Sequence, residues 1–277
     1  MKKLVLFLVV IVFNEFVIAQ TLTTDNTISK NEVVVASDVK WGWLNPLRGD
    51  KSPAAGQLWG DRTDTLASGF LVKFKKGFSS PPHIHNVTYR GVVIKGLLHN
   101  DDENAKKQWL PTGSFWQQPA GEVHITAALG EDNLAYIEIQ KGPYLVKPTT
   151  DAFDSEERPL NLDTSNLVWL NPEDISWVSS NSNVETAFLW GTLEDGQLRA
   201  SLLKLPANFK GELKNLSTNF RVVVISGGVT HQFSKTGIKH QLEPGSYFGL
   251  KENASIHLNT TIDTIIYIRS NGDFKVK

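Results

Sequence analysis

Apolar residues fall in short runs closed by Gly, Pro, Asn or Asp, at 69–73, 92–94, 134–140, 222–226 and 264–269. Within one of them Ile137 and Ile139 alternate with Glu138 and Gln140, the period of two that a strand imposes. The spacing does not say which of these faces points inward. No stretch of twelve or more residues carries the apolar stripe of an amphipathic helix. Short strands at close intervals with tight turns predict an all-β protein, an antiparallel sandwich or small barrel.

One segment departs from this pattern. Residues 4–13 are continuously apolar behind Lys2 and Lys3, and Val17 and Ala19 follow at small-residue positions. This is the layout of a secretory signal peptide over 1–19, with cleavage after Ala19. An uncleaved anchor is the alternative, but ten apolar residues make a helix of about 15 Å, half a bilayer core. Nothing after residue 19 is apolar enough to cross a membrane. A periplasmic or secreted chain without membrane contact is expected.

The rest of the chain repeats itself at an offset of 131, as from Leu58 to Leu189. Leu58-Trp59-Gly60 becomes Leu189-Trp190-Gly191, and Arg90 and the 92–94 run return at Arg221 and 223–225. Trp43-Leu44-Asn45-Pro46 returns as Trp169-Leu170-Asn171-Pro172, and Gly113-Ser114-Phe115-Trp116 as Gly245-Ser246-Tyr247-Phe248. A period this long means duplicated domains rather than a solenoid. The expected division is a first domain over 32–147, a Pro-containing acidic linker over 148–166 and a second domain over 167–277. Trp59 and Trp190, equivalent in the repeat, are expected in the core.

Composition narrows the chemistry. The 277 residues contain no cysteine, so disulfides, thiolate metal sites, a cysteine nucleophile and a lipoprotein anchor are all excluded. Lys and Arg number 28 against 29 Asp and Glu, for a net charge of −1, which offers no field for nucleic acid. Small-molecule binding is the remaining expectation, by a monomer built as an internal pseudo-dimer or by a homodimer.

Histidine supplies the candidate site. In Pro81-Pro82-His83-Ile84-His85 two imidazoles are two residues apart, on one face of a strand, and suit two ligands of one metal. His124 lies 39 residues beyond His85, where a neighbouring strand could bring it to the same point. The full spacing is Gly77-x5-His83-x-His85-x3-Tyr89-x6-Gly96, then Gly113-x5-Pro119-x-Gly121-x2-His124. These two segments resemble the paired motifs of the cupin superfamily. With the duplication, the chain resembles a bicupin, most similar to the DUF4437 group, akin to the cupin domain of ChrR-type anti-sigma factors.

The resemblance implies two tandem jelly-roll barrels and a divalent metal (Zn, Fe, Ni or Mn) held by His83, His85 and His124. It also exposes departures. Tyr89 stands where the family carries Glu, and Ala128 where it carries a closing Asn. Tyr89 is a candidate ligand, hydrogen-bond donor or general acid/base, or it only packs; Phe220 fills its place in the second copy. Glu122 shares the strand parity of His124 and is a second candidate, with a position on the rim as the alternative. In the second copy Lys214, Leu216 and Ile256 or His257 replace the ligands, so that domain is expected to be metal-free. His99, His231 and His240 are expected in solvent.

No nucleophile elbow, phosphate-binding glycine loop or His-Glu-x-x-His helix is present. Asn-x-Ser/Thr triplets begin at Asn86, Asn215, Asn253 and Asn259, and a glycan on Asn86 would block the histidine pocket, which favours bacterial export. The leading expectation is a metal-dependent enzyme, dioxygenase-like or Lewis-acid, acting on a small anionic organic molecule. The alternatives are a binding or sensing module without turnover and, more weakly, sugar binding on Trp faces.

Overall fold

A computed structural model describes residues 27–194, 196–234 and 236–277. The expected signal peptide and its cleavage site lie outside the described residues. Twenty-two strands and five short 3-10 turns make up the described chain, and no α-helix occurs among the described residues. No described helix is long and apolar enough to cross a membrane.

The first half is built on a seven-stranded antiparallel sheet. Its order is Leu160–Leu162, Phe115–Gln118, Tyr89–Lys95, Asp132–Ile139, Ser68–Lys75, Ala54–Trp59 and Trp41–Trp43. Two small ladders complete it, Leu98–Asp101 with Ile125–Ala128 and Ile84–His85 with Val146–Lys147. The second half pairs a six-stranded sheet with a five-stranded one. The expected all-β architecture, two β-barrels in tandem, is what the chain forms.

Both faces of the central strands are buried, so their sequences read as continuous apolar runs rather than alternating ones. Phe70, Val72 and Val93 point into the first barrel, while Leu71, Val92 and Ile94 point the other way. The second set meets Ala187, Leu202, Val223, Tyr247 and Tyr267 of the second half, forming a third core between the barrels. The interior of the second barrel is filled by Leu203, Phe220, Val222, Phe248, Ile256 and their neighbours.

The halves exchange strands. Glu32–Val34 adds to the second half's sheet beside Tyr247–Gly249. Leu160–Leu162, within the segment expected to link the domains, adds to the first half's sheet beside Phe115–Gln118. The contact between the halves keeps the repeat symmetry. Trp59 Nε1 donates to the Tyr136 hydroxyl at 3.0 Å, and Trp190 Nε1 to the Tyr267 hydroxyl at 3.0 Å. The Arg221 guanidinium lies 4.2 Å from the Trp59 ring centroid, and that of Arg90 lies 4.1 Å from Trp190. Trp59 is buried and Trp190 half-buried, so neither offers a free stacking face for a sugar. Glu138, whose inward or outward direction the sequence leaves open, is buried here 3.8 Å from the equally buried Arg269.

Two of the three outlying histidines are not in solvent. His99 and His231 are 1% and 0% exposed, and His240 is half-buried. Their strands pair inside the ladders that close each barrel, so polar neighbours in the sequence do not place them at the surface.

Candidate metal centre

His83 and His124 face one another as an antiparallel bridge in which each N–H donates to the other's carbonyl at 3.0 Å. Directly opposed residues of such a pair project from the same face, so this bridge sets two imidazoles side by side. The positive φ of Gly121 (78°) turns the chain into that bridge, and its N–H donates to the His85 carbonyl at 2.8 Å. His85 follows two residues after His83, on the same face. Ring centroids are 4.5 Å apart for His83 and His124, 5.0 Å for His83 and His85, and 5.4 Å for His85 and His124.

Every one of the three rings is oriented by a backbone carbonyl. His83 Nδ1 lies 2.8 Å from the Pro81 oxygen, His85 Nδ1 3.1 Å from the Leu145 oxygen and His124 Nδ1 3.0 Å from the Glu122 oxygen. A carbonyl only accepts, so each Nδ1 carries the hydrogen and each Nε2 is left with its lone pair. This is the outer-shell support that fixes metal-binding histidines. The ligand atoms lie within 4.8 Å of one another. Two nitrogens on one metal are at most about 4.2 Å apart, a separation close to the spread of these three. The residues fit one metal ion, and no other such cluster occurs among the described residues.

Burial also sets the protonation state. It holds the His124 imidazole down to about 3, helped by His83, and holds His85 well below its ordinary value, helped by His124 and His83. His83, at the mouth and half-buried, is lowered by the same desolvation. At neutral pH all three are uncharged, the form a metal requires.

Tyr89 enters this group. Its hydroxyl is 3.2 Å from His124 Nε2 and donates to Asn100 Oδ1 at 2.8 Å. The same amide oxygen accepts from the Thr126 hydroxyl at 2.7 Å, and Asn100 Nδ2 donates to Gln118 Oε1 at 2.8 Å. Burial pushes the Tyr89 phenol up, so it is a neutral hydroxyl at ordinary pH. Glu122 is placed differently. Its backbone carbonyl orients His124, while its half-buried carboxyl is raised by burial and sits among the charges of Arg158, Asp101 and Asp154.

The structure adds a residue that the histidine motifs do not mark. Tyr144 stacks on His85 at 4.2 Å between centroids and puts its hydroxyl 3.1 Å from His85 Nε2. Asn86 holds it there from both sides. Asn86 Nδ2 donates to the Pro143 oxygen at 2.9 Å, and Asn86 Oδ1 accepts from Leu145 N at 2.8 Å. The only signal in the sequence is negative: at the repeat offset Tyr144 falls on Lys275, so this aromatic belongs to the first copy alone.

A cavity of about 120 Å³ opens onto the histidines, walled by Leu44, Val72, Phe74, Phe78, Trp116 and Ile137. His83, His85, Tyr89 and Tyr144 form its polar end, and Arg48 also lines it. In the second half, His257 is exposed and Lys214 and Leu216 carry no imidazole, so nothing equivalent assembles there among the described residues.

Known structures share this architecture at low identity. A dioxygenase candidate from Nostoc punctiforme superposes with a TM-score of 0.65 at 15% identity, over 88% of this chain and 83% of that one. Salicylate 1,2-dioxygenase from Pseudoaminobacter salicylatoxidans, as its gentisate adduct, gives 0.56 at 12% identity over 93% and 87%. Oxalate decarboxylase from Lactobacillus farciminis, as its formate complex, gives 0.58 at 10% identity over 92% and 90%. No curated protein matches the chain in sequence. The architecture is therefore that of a bicupin, and since residues 32–277 match DUF4437, a domain of unknown function, the chain belongs to the DUF4437 family.

Proposed function

We propose that this protein is an exported, metal-dependent enzyme that holds one divalent ion through His83, His85 and His124 and acts on a small organic acid. The observation that carries this reading is the convergence of three Nε2 lone pairs, each ring pinned through Nδ1 by a carbonyl. A bound divalent ion would supply Lewis-acid polarisation of a substrate oxygen or, if it were iron, oxygen chemistry. Three neutral imidazoles leave its charge uncompensated, which favours an anionic ligand. The walls are mostly apolar, and Tyr144 offers a hydroxyl to an oxygen bound beside the histidines, while Tyr89 donates its hydrogen to Asn100. Likeness to a dioxygenase and a decarboxylase of small acids supports the same substrate class.

Metal identity follows availability and affinity. Imidazole sites favour Zn, Ni or Cu over Fe(II) and Mn, so a protein folded outside the cytoplasm competes for them by affinity. A second reading is binding or sensing without turnover. It is favoured by the lining of the cavity, where no carboxylate stands ready for acid–base work among the described residues.

Metal analysis of protein purified from its native compartment tests the proposal. About one atom per chain is expected, and none in the His83→Ala/His124→Ala double variant. Two atoms per chain would overturn the single-site assignment. Iron with oxygen consumption on an organic acid supports the enzyme; tightly held zinc without turnover supports the sensor.

A further inference from the structure

Arg48 sits on the 3-10 turn Pro46–Lys51, at the mouth of the cavity. The turn is fixed at both ends, because Asn45 Oδ1 accepts from Leu47 N at 3.1 Å and Asn45 N donates to Ser52 Oγ at 2.9 Å. Arg48 is the one permanently charged side chain in the lining, which includes no Asp or Glu. No hydrogen bond or ion pair engages its guanidinium among the described residues, and its positive charge bears on His83. An exposed arginine is ordinarily just solvated. This one is held on a pinned turn beside an apolar cavity that also opens onto His83 and His85 of the three-histidine cluster. With an ion bound, the cavity would carry about three positive charges and no carboxylate to balance them.

Size narrows the occupant further. An apolar protein cavity of about 150 Å³ takes up benzene, and this one measures about 120 Å³. We propose that Arg48 binds the carboxylate of a compact, apolar-bodied acid, single-ring or short-chain, whose other end reaches the histidine centre. The assignment rests on the metal reading above and adds to it the specificity-determining residue and the shape of the substrate. A guanidinium suits this task because its planar fork meets a carboxylate in two parallel hydrogen bonds.

The test uses cobalt-loaded protein titrated with benzoate and with benzamide, a neutral molecule of the same shape. Calorimetry gives the affinity and the visible cobalt spectrum reports ligand entry at the centre. Benzoate is expected to bind at least tenfold more tightly than benzamide. Arg48→Gln should weaken benzoate binding at least tenfold and leave only the part of the preference that the ion's own charge supplies. Arg48→Lys should keep more of it, both with unchanged cobalt content and thermal midpoint. Equal binding of the two probes, or benzoate binding undiminished in Arg48→Gln, overturns the role of Arg48 while one cobalt per chain leaves the metal reading standing. Failure of the unmodified protein to take up cobalt overturns both.

Discussion

His231 lies in the second barrel against the rings of Phe233 and Phe248, and neither of its nitrogens bonds to another residue. Burial first, and the neighbouring His240 second, lower its imidazole to about 4. In the unfolded chain the ordinary value is about 6.5, so the unfolded state binds the proton first on acidification. The neutral side chain is tolerated above about pH 6.5, and stability falls as pH drops from there toward 4. His231→Leu removes this liability. Relative to the unmodified protein, the variant should gain about 2–3 kcal/mol between pH 7 and pH 4.5, read from urea midpoints at the two values. A constant difference across that range would mean that His231 does not titrate on unfolding. Residues of this kind were hidden in the sequence, where polar neighbours suggested an exposed turn. The three-histidine cluster was legible because its spacing is tied to strand geometry; Arg48 and Tyr144 were not, because each lies in a segment outside both motifs.

Among the elements, the strand Tyr89–Lys95 shows how a sequence makes room for a site. Gly91 is paired directly with Trp116 on Phe115–Gln118, and the indole lies over the position a side chain would take. The glycine is needed because the ring of Trp116 forms part of the cavity wall. Gly91→Ala should push that ring off its seat and cost about 1–3 kcal/mol, the usual penalty for overpacking. Thermal unfolding followed by tryptophan fluorescence checks it, and an unchanged midpoint would show that the wall yields freely. The existence of this strand was readable from its apolar run. Its partners were not, because a strand buried on both faces carries no alternation to say which neighbour lies on which side. The exchanged strands were obscured for a related reason: at three residues each, Glu32–Val34 and Leu160–Leu162 are too short to leave a period.

For the whole molecule, the duplication decides how the halves meet. Most of the contact is symmetric, Trp–Tyr against Trp–Tyr and Arg over Trp twice, yet one equivalent position holds Glu138 in one copy and Arg269 in the other. Opposite charges there suit the union of two unlike halves; two identical copies would bring like charges together. Removing one partner of a buried pair costs about 3–5 kcal/mol, whereas replacing both with apolar residues is often nearly neutral. Glu138→Leu should therefore destabilise strongly and Glu138→Leu/Arg269→Leu should recover most of the loss in urea unfolding. A double variant no more stable than the worse single one would reject the pairing. The exchanged strands add a constraint in time. Glu32 is hydrogen-bonded to Tyr247, 215 residues further along the chain. The second half's sheet cannot gain its outermost strand, nor the first half's sheet its own, from one half alone. Contacts so remote in sequence form late. Every strand of the first half's sheet lies within residues 41–162, so that sheet can be complete while the ribosome is still adding the second half. The second half's sheet runs from Glu32 to Ser270 and can be complete only when nearly the whole polypeptide has been delivered.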